Sequence, residues 1–327
     1  MKVCILFGGT GYIGTKIVQR FLDTNRFDLI IQADIRAPLA EFDNVTYIFC
    51  DVREAINIEL ANVDLENSWI FNLAAIHREP GHDQAEYFDT NILGANNIIA
   101  FANRVGFKNI YFTSSIAPYG RSLLPRTEES MLYSETPYGI SKGYAECLHK
   151  LWQLADNSRK LVICRPSVIY GPGDPGNILR MIRGIIYGTF FYPGNPDIIK
   201  AYGYIYGLLD SIDFVCFDKS DKSILYNYSE HPILTMRELG EVIKLKFNIK
   251  RKILSVPIFV LIFVASIFQI VVKLCRKTSS IHPVRVRKAG FPTNVIPLYL
   301  IENGFVFKYG FLKSLEHWMS ISPEDFK

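Results

Sequence analysis

The chain has 327 residues, of which 49% are hydrophobic and 21% charged, which excludes a disordered or fibrous protein and leaves room for a nucleotide-binding core with a smaller lobe. A net charge of +4 gives no argument for a nucleic-acid partner, and the six cysteines (Cys4, Cys50, Cys147, Cys164, Cys216, Cys275) show neither CxxC nor zinc spacing, so no metal is expected. Several of these cysteines lie in apolar runs and read as buried thiols of a reducing cytoplasm; the first apolar run is too short for a secretory signal.

That run, Val3 to Phe7, stops at a glycine turn and is followed by helix-forming sequence, Tyr12 to Phe21. Gly8, Gly11 and Gly14 stand at i, i+3 and i+6. In a strand–turn–helix setting the first permits a tight turn, the second lets the backbone approach a pyrophosphate, and the third lets helix and strand pack closely. The helix N-terminus at Tyr12 and Ile13 then offers N–H groups to the phosphates. Leu29 to Ala33 reads as a second strand ending in Asp34, an acid able to accept hydrogen bonds from an adenosine ribose; this favours NAD over NADP, although Arg36 could meet a 2′-phosphate.

Val45 to Phe49 is a third strand, followed by Asp51 and Val52. Asp51 could bind the adenine amino group or cap a helix. Trp69 to Leu73 is a fourth strand, running into Leu73, Ala74 and Ala75, small enough together to lie against a cofactor. A helical pattern spans about Ala85 to Val105 and contains Asn91. Asn109 to Thr113 is a fifth strand, ending in Thr113-Ser114-Ser115. Tyr138 and Lys142 open a helix running to about Ala155, and their i, i+4 spacing puts them on one face. Leu161 to Arg165 is a sixth strand, leading into Pro166. Strands alternating with helices predict an α/β protein, a Rossmann-type doubly wound parallel sheet, with its ligand at the carboxyl ends of the strands.

From about Gly173 the alternation stops and glycine and proline become frequent. The expected division is a Rossmann core over 1–172 and a smaller, mainly substrate-binding C-terminal lobe over 173–327. Within the lobe, Asn177 opens a helical stretch to Tyr187, Leu225 to Tyr228 reads as a returning strand, and Thr235 with Glu238 forms a capping box for a helix reaching Lys246. Lys313 to Trp318 has the pattern of a terminal amphipathic helix.

Taken together, GxxGxxG at Gly8–Gly14, Asp34, Asp51-Val52, Asn72-Leu73-Ala74-Ala75, Ser115 and Tyr138-xxx-Lys142 resemble an extended short-chain dehydrogenase/reductase, over nearly the whole chain. Within that superfamily the chain is similar to bacterial sugar-nucleotide epimerases and reductases. The stretches Ala74 to Glu79, Phe112 to Gly120, Tyr226 to Tyr228 and Val284 to Lys288 resemble membrane-associated 4-epimerases acting on N-acetylglucosaminyl-diphosphoundecaprenol. The soluble galactose epimerases carry a late Arg-Pro-Gly-Asp stretch and a Tyr-Ile/Val-x-Asp-Asp stretch; the first is absent here, and Tyr204 to Asp210 replaces the second. The resemblance implies NAD held by Gly8, Gly11, Tyr12, Ile13, Gly14, Asp34, Asp51, Val52, Leu73, Ala74, Ala75, Asn91, Tyr138, Lys142 and Pro166. It implies a diphosphate-linked sugar substrate near Ser115, Asn177, Arg285 and Arg287, and catalysis by Ser115, Tyr138 and Lys142.

A free tyrosine has a pKa near ~10 and is a poor base at neutral pH, but a neighbouring ammonium favours the phenolate. Lys142 supplies that charge, and Ser115 would hold the same sugar oxygen during proton transfer. Three functions fit: a 4-epimerase of a diphosphate-linked hexose, a 4-ketoreductase of a nucleotide deoxysugar using NAD(P)H, and a non-catalytic NAD(P)-binding subunit on a membrane.

Ile253 to Val272 holds 20 residues without a charge, enough as a helix to span about 30 Å. Lys250, Arg251 and Lys252 precede it and Lys273, Arg276 and Lys277 follow. Basic flanks on both sides keep both ends on the cytoplasmic face, so a helix or hairpin dipping into the inner leaflet is expected, with the protein peripheral on the inner face of the cell membrane. Burial in the lobe, or a homodimer contact, is the other reading of this segment.

Overall fold

The apolar run at the start of the chain becomes β1 (Val3–Phe7), buried at every position. Gly8, with φ +74°, turns the chain into α1 (Tyr12–Asp23). The structure, a computed structural model, describes residues 1–38, 40–79, 81–174, 176–274 and 283–327. Cys275, Arg276 and Lys277 lie outside the described residues, as do the side chains of Lys273 and Arg285.

Next come β2 (Leu29–Asp34), β3 (Val45–Phe49) and β4 (Trp69–Asn72). The helical pattern around Asn91 is a short α2 (Gln84–Phe88), one wide turn over Asp89–Leu93, and α3 (Gly94–Val105). β5 (Asn109–Thr113), α4 (Pro137–Leu154) and β6 (Lys160–Pro166) complete the first half. The second half holds β7 (Val168–Tyr170), α5 (Asn177–Tyr187), β8 (Tyr192–Pro193), β9 (Tyr202–Tyr204), α6 (Ile205–Asp213), β10 (Ser223–Tyr228) and α7 (Met236–Lys246). It continues with β11 (Ser255–Val256), α8 (Ile258–Leu274), α9 (Pro283–Ala289), α10 (Leu298–Glu302) and α11 (Phe311–Ile321).

Seven strands form one parallel sheet in the order β10-β6-β5-β4-β1-β2-β3. Strand order reverses between β1 and β4, so a cleft opens there at the carboxyl ends, where this class of sheet binds its ligand. Period-two alternation distributes β1 between two cores. Cys4 and Leu6 pack with Ile17, Val18 and Phe21 of α1, whereas Val3, Ile5 and Phe7 pack with Ile98 and Phe101 of α3 and Trp152 of α4. Both faces are covered over the central strands, which is why β1 reads as an unbroken apolar run, whereas the edge strand β3 is largely exposed.

Residues beyond 172 also build this core. β10 pairs with β6 as the seventh strand, and α6 packs on α1. The rest of the lobe gathers α5, α7 and α11, and the predicted Thr235–Glu238 capping box is present on α7.

The apolar run is divided differently from the single helix its length allows. Ser255–Val256 pairs with Tyr192–Pro193, so the helix begins only at Ile258, directly after Pro257. α8 has 17 residues, about 25 Å at 1.5 Å per residue. Among the described residues no helix is long and apolar enough to cross a membrane. α9 packs back against α8.

Candidate active site

Glycine is required at both ends of the loop after β1. A Cβ on Gly8 would lie 2.7 Å from the Ala74 nitrogen, and one on Gly14 would lie 2.4 Å from the Gly9 carbonyl oxygen. Gly11 meets nothing closer than 3.4 Å, so the loop mouth stays open at the residue that leads into α1. No side chain caps α1 and its first turn holds no acid, which leaves the N–H groups of Tyr12, Ile13 and Gly14 to an anion. The open cradle and uncapped N-terminus fit a dinucleotide pyrophosphate.

At the end of β2, the buried Asp34 carboxylate accepts from the Thr10 N–H at 3.3 Å and the Arg36 N–H at 3.1 Å. The exposed Arg36 guanidinium stands 3.7 Å from the same carboxylate. Replacing Asp34 with Ala removes the carboxylate expected to accept from the ribose while keeping Arg36. NAD affinity, measured by calorimetry on dinucleotide-free protein, is expected to fall about tenfold, with NADP affinity falling less. Asp51 is held by Arg53, which grips both carboxylate oxygens and lowers the carboxyl below its usual range. Val52 is buried against Gly94.

Leu73 donates its N–H to the Phe7 carbonyl, binding the end of β4 to β1, and Ala74 and Ala75 follow on the cleft side. Asn91 lies in the wide turn and clamps that loop: its Oδ1 accepts from the Ile76 N–H, and its Nδ2 donates to the Ile76 carbonyl and the Ser141 hydroxyl. These bonds hold the loop after β4 in place. The Pro166 carbonyl accepts from the Ile116 N–H and joins the ends of β6 and β5.

Pro137 opens α4, and Thr136 caps it by accepting from the Gly139 N–H at 3.2 Å. This places Tyr138 in the first turn, facing Ser115 beyond β5. The Ser115 Oγ also accepts from the Ala117 N–H. Burial pushes the Tyr138 phenol up to about 12; the Ser115 hydroxyl opposes that rise and the charge of Glu79 adds to it. One turn on, Lys142 is 1% exposed with Nζ 4.3 Å from the centre of the Phe112 ring. Burial brings its ammonium down to about 7, against the opposing charge of Glu146.

The folded chain therefore binds the Lys142 proton less tightly than the unfolded chain does, so stability rises with pH between about 7 and about 10.5. Thermal unfolding of dinucleotide-free protein at about pH 7 and about pH 9 should show this gain, and Lys142→Met should reduce it.

Sequence reading missed what lies behind Lys142. Glu146, the next residue along that helical face, makes a bidentate pair with Arg165 at 2.6 and 2.8 Å and accepts from the Ser114 hydroxyl at 2.5 Å. Arg165 also donates to the Tyr119 hydroxyl, which donates to Asn227 Oδ1, and the Asn227 N–H reaches Glu128. His149 stacks on Phe112 at 4.2 Å and is pushed down by burial to about 4. It is therefore neutral, donating from Nδ1 to the Ala145 carbonyl and accepting at Nε2 from Asn72. The i+4 and i+8 spacing of Glu146 from Lys142 and Tyr138 was the available signal.

Of the expected substrate contacts, Ser115 belongs to this group, while Asn177 and Arg287 stand on other elements, α5 and α9. Asn177 is exposed at the start of α5 and accepts from Arg180 at 2.6 Å. Arg287 is exposed on α9; the Arg285 side chain lies outside the described residues. Among the described residues neither Asn177 nor Arg287 touches Ser115, Tyr138 or Lys142. The hydroxyl of Tyr12 is buried without a partner.

The sheet, the open cradle and the Ser–Tyr–Lys group define a dinucleotide-dependent enzyme that can move a proton to or from a hydroxyl. Residues 4–215 match the model of the NAD dependent epimerase/dehydratase family. The chain belongs to that family, of the extended short-chain dehydrogenase/reductase type, and NAD is its cofactor. It is 29% identical to the N-acetyl-alpha-D-glucosaminyl-diphospho-ditrans,octacis-undecaprenol 4-epimerase of Escherichia coli O157:H7, over 95% of this chain and 92% of that relative. It is 31% identical to a UDP-glucose 4-epimerase of Vibrio cholerae, over 57% of this chain and 58% of that one. In fold it is similar to the UDP-glucuronic acid 4-epimerase of Bacillus cereus in complex with NAD, with a TM-score of 0.74 and 14% identity, over 99% of this chain and 100% of that one.

Proposed function

We propose that the protein is a 4-epimerase of a diphosphate-linked N-acetylhexosamine, of the N-acetylglucosamine/N-acetylgalactosamine type, carried on a lipid and used in bacterial surface polysaccharide synthesis. The observation that carries the lipid carrier is the exposed apolar surface of α8, in the same chain as a Tyr138–Lys142 site. The relative that covers nearly all of the chain is named for a lipid-linked substrate, which supports the same reading.

NAD, when bound, supplies the reversible oxidation of the sugar at C4. The protein's part is proton transfer. Burial pushes the phenol of Tyr138 up to about 12, so it holds its proton near neutrality, and the ammonium form of Lys142 favours the phenolate it must become to act as a base. Tyr138 takes the proton of the 4-hydroxyl while Ser115 holds the same oxygen. After the 4-keto sugar has turned in the pocket, Tyr138 returns the proton to the opposite configuration.

Phe259 is 71% exposed and Phe263 65%, with Val264, Ile267 and Ile270 of α8 also exposed. An apolar run of this size on one helix marks an interaction surface. Lys250, Arg251, Lys252 and Arg287 are exposed around it, and basic residues beside an apolar face suit anionic headgroups. In this reading α8 lies in the membrane interface on the cytoplasmic side, with the active site close to a lipid diphosphate. A second copy of the chain is the competing occupant.

The test is one incubation of detergent-purified protein with UDP-N-acetylglucosamine and N-acetylglucosaminyl-diphosphoundecaprenol together, without added cofactor, following C4 configuration in each pool. Inversion in the lipid pool alone is expected. Inversion in the nucleotide pool alone overturns the lipid carrier. Turnover of a 4-keto sugar only on addition of NAD(P)H overturns epimerisation in favour of a reductase. Co-sedimentation with anionic phospholipid vesicles, lost in Phe259→Asp/Phe263→Asp, separates a lipid surface from a dimer contact.

A further inference from the structure

The loop after β4 carries Glu79, whose side chain is 14% exposed. Lys288, near the end of α9, reaches across the chain to it, Nζ 2.6 Å from Oε2. Lys288 is itself fixed. Its carbonyl accepts from Lys200 Nζ at 2.8 Å, and the same ammonium donates to the Phe291 carbonyl. The chain then runs beside Lys200, with the Thr293 N–H on the Ile199 carbonyl and the Ala201 N–H on the Thr293 carbonyl.

The loop that carries Glu79 also borders the catalytic group. The ring of Tyr87, on α2, lies 6.5 Å from that of Tyr138, and its hydroxyl donates to the Arg78 carbonyl beside Glu79. The Glu79 charge acts on both tyrosines, opposing their ionisation. Lys142 lies one turn along the helix of Tyr138, and His77 on the loop feels the charges of Arg78, Arg36, Lys142 and His82. Lys288 enters this set through Glu79.

We propose that Glu79 and Lys288 are positioning residues for the reaction: paired, they latch α9 to the active-site loop, and Lys288 offsets part of the Glu79 charge beside Tyr138. This rests on Tyr138 being the proton carrier. It also gives α8 a link to the chemistry. A Cβ on Gly290 would lie 2.7 Å from Ile258, so the end of α9 abuts the start of α8. Displacing α9 from the loop unpairs Glu79.

The experiment is the pH dependence of kcat and KM for wild type, Lys288→Gln, Glu79→Gln and the double variant, with thermal unfolding as the check on folding. Lys288→Gln leaves an unpaired carboxylate, so the limb set by Tyr138 moves to higher pH by about one unit and the rate near neutrality falls up to about tenfold. Glu79→Gln leaves an unpaired ammonium, so the same limb moves to lower pH. The double variant returns close to wild type. A purely structural pair would cost rate or KM in all three variants without splitting the limbs. Limbs that move together, or that stay while the rate falls, overturn the latch. If the protein proves to be a keto-sugar reductase, the epimerase reading fails alone, and the same split on the reduction limb keeps the latch.

Discussion

Tyr138→Phe lowers kcat for C4 inversion by about a thousandfold, with KM and thermal stability close to wild type. The ring fills the same space, so packing against Tyr87 persists. Only the hydroxyl that exchanges a proton with the sugar is lost, and no other described residue near it replaces it: Ser115 is a poor base and Lys142 stands one turn away. NAD content after purification, read by absorbance and mass spectrometry, should match wild type. A loss confined to KM would assign Tyr138 to binding and remove it from the proton path.

The largest expected loss of stability comes from Arg165→Met, at about 4 kcal/mol in urea unfolding. Arg165 and Glu146 are nearly fully buried, paired at 2.6 Å. Burying two charges costs several kcal/mol per ion, and their attraction together with bonds from Ser114 and to Tyr119 offsets it. Removing the guanidinium leaves the Glu146 carboxylate buried with one hydroxyl donor. Glu146→Gln added to Arg165→Met should recover much of the loss, since no unpaired charge then remains. Loss of the carboxylate also removes the charge that holds up the Lys142 ammonium, so the double variant should be stable but slow. A double variant as unstable as Arg165→Met would assign the effect to packing.

Much of this molecule can be read from short-range pattern. β1 shows as an unbroken apolar run because the centre of a parallel sheet is buried on both faces, and the Gly8–Gly14 loop shows because its close approaches exclude a Cβ. Tyr138 and Lys142 declare themselves by sharing a helical face. The remainder is set by contacts between distant parts of the chain. The place of β10 beside β6 joins residues 223–228 to 161–166, which no local pattern encodes. Glu146 and Arg165 look like solvated charges until the fold buries them together. Pairing of Ser255–Val256 with Tyr192–Pro193 takes the first residues of the apolar run out of the helix, and hydropathy alone does not reveal it. The same holds for Asn91, whose helical setting hides that its amide clamps the loop after β4.

The central claim is transient oxidation of the sugar at C4 and return of what was removed, with Tyr138 moving the hydroxyl proton. The most direct measurement uses substrate carrying deuterium at C4, incubated in ordinary water without added cofactor, with the epimer recovered and its label located by mass spectrometry. The account predicts an epimer that keeps its deuterium at C4, formed by wild type and about a thousandfold more slowly by Tyr138→Phe. An epimer that has exchanged its C4 deuterium for solvent hydrogen would contradict it, because inversion would then have passed through proton removal from carbon.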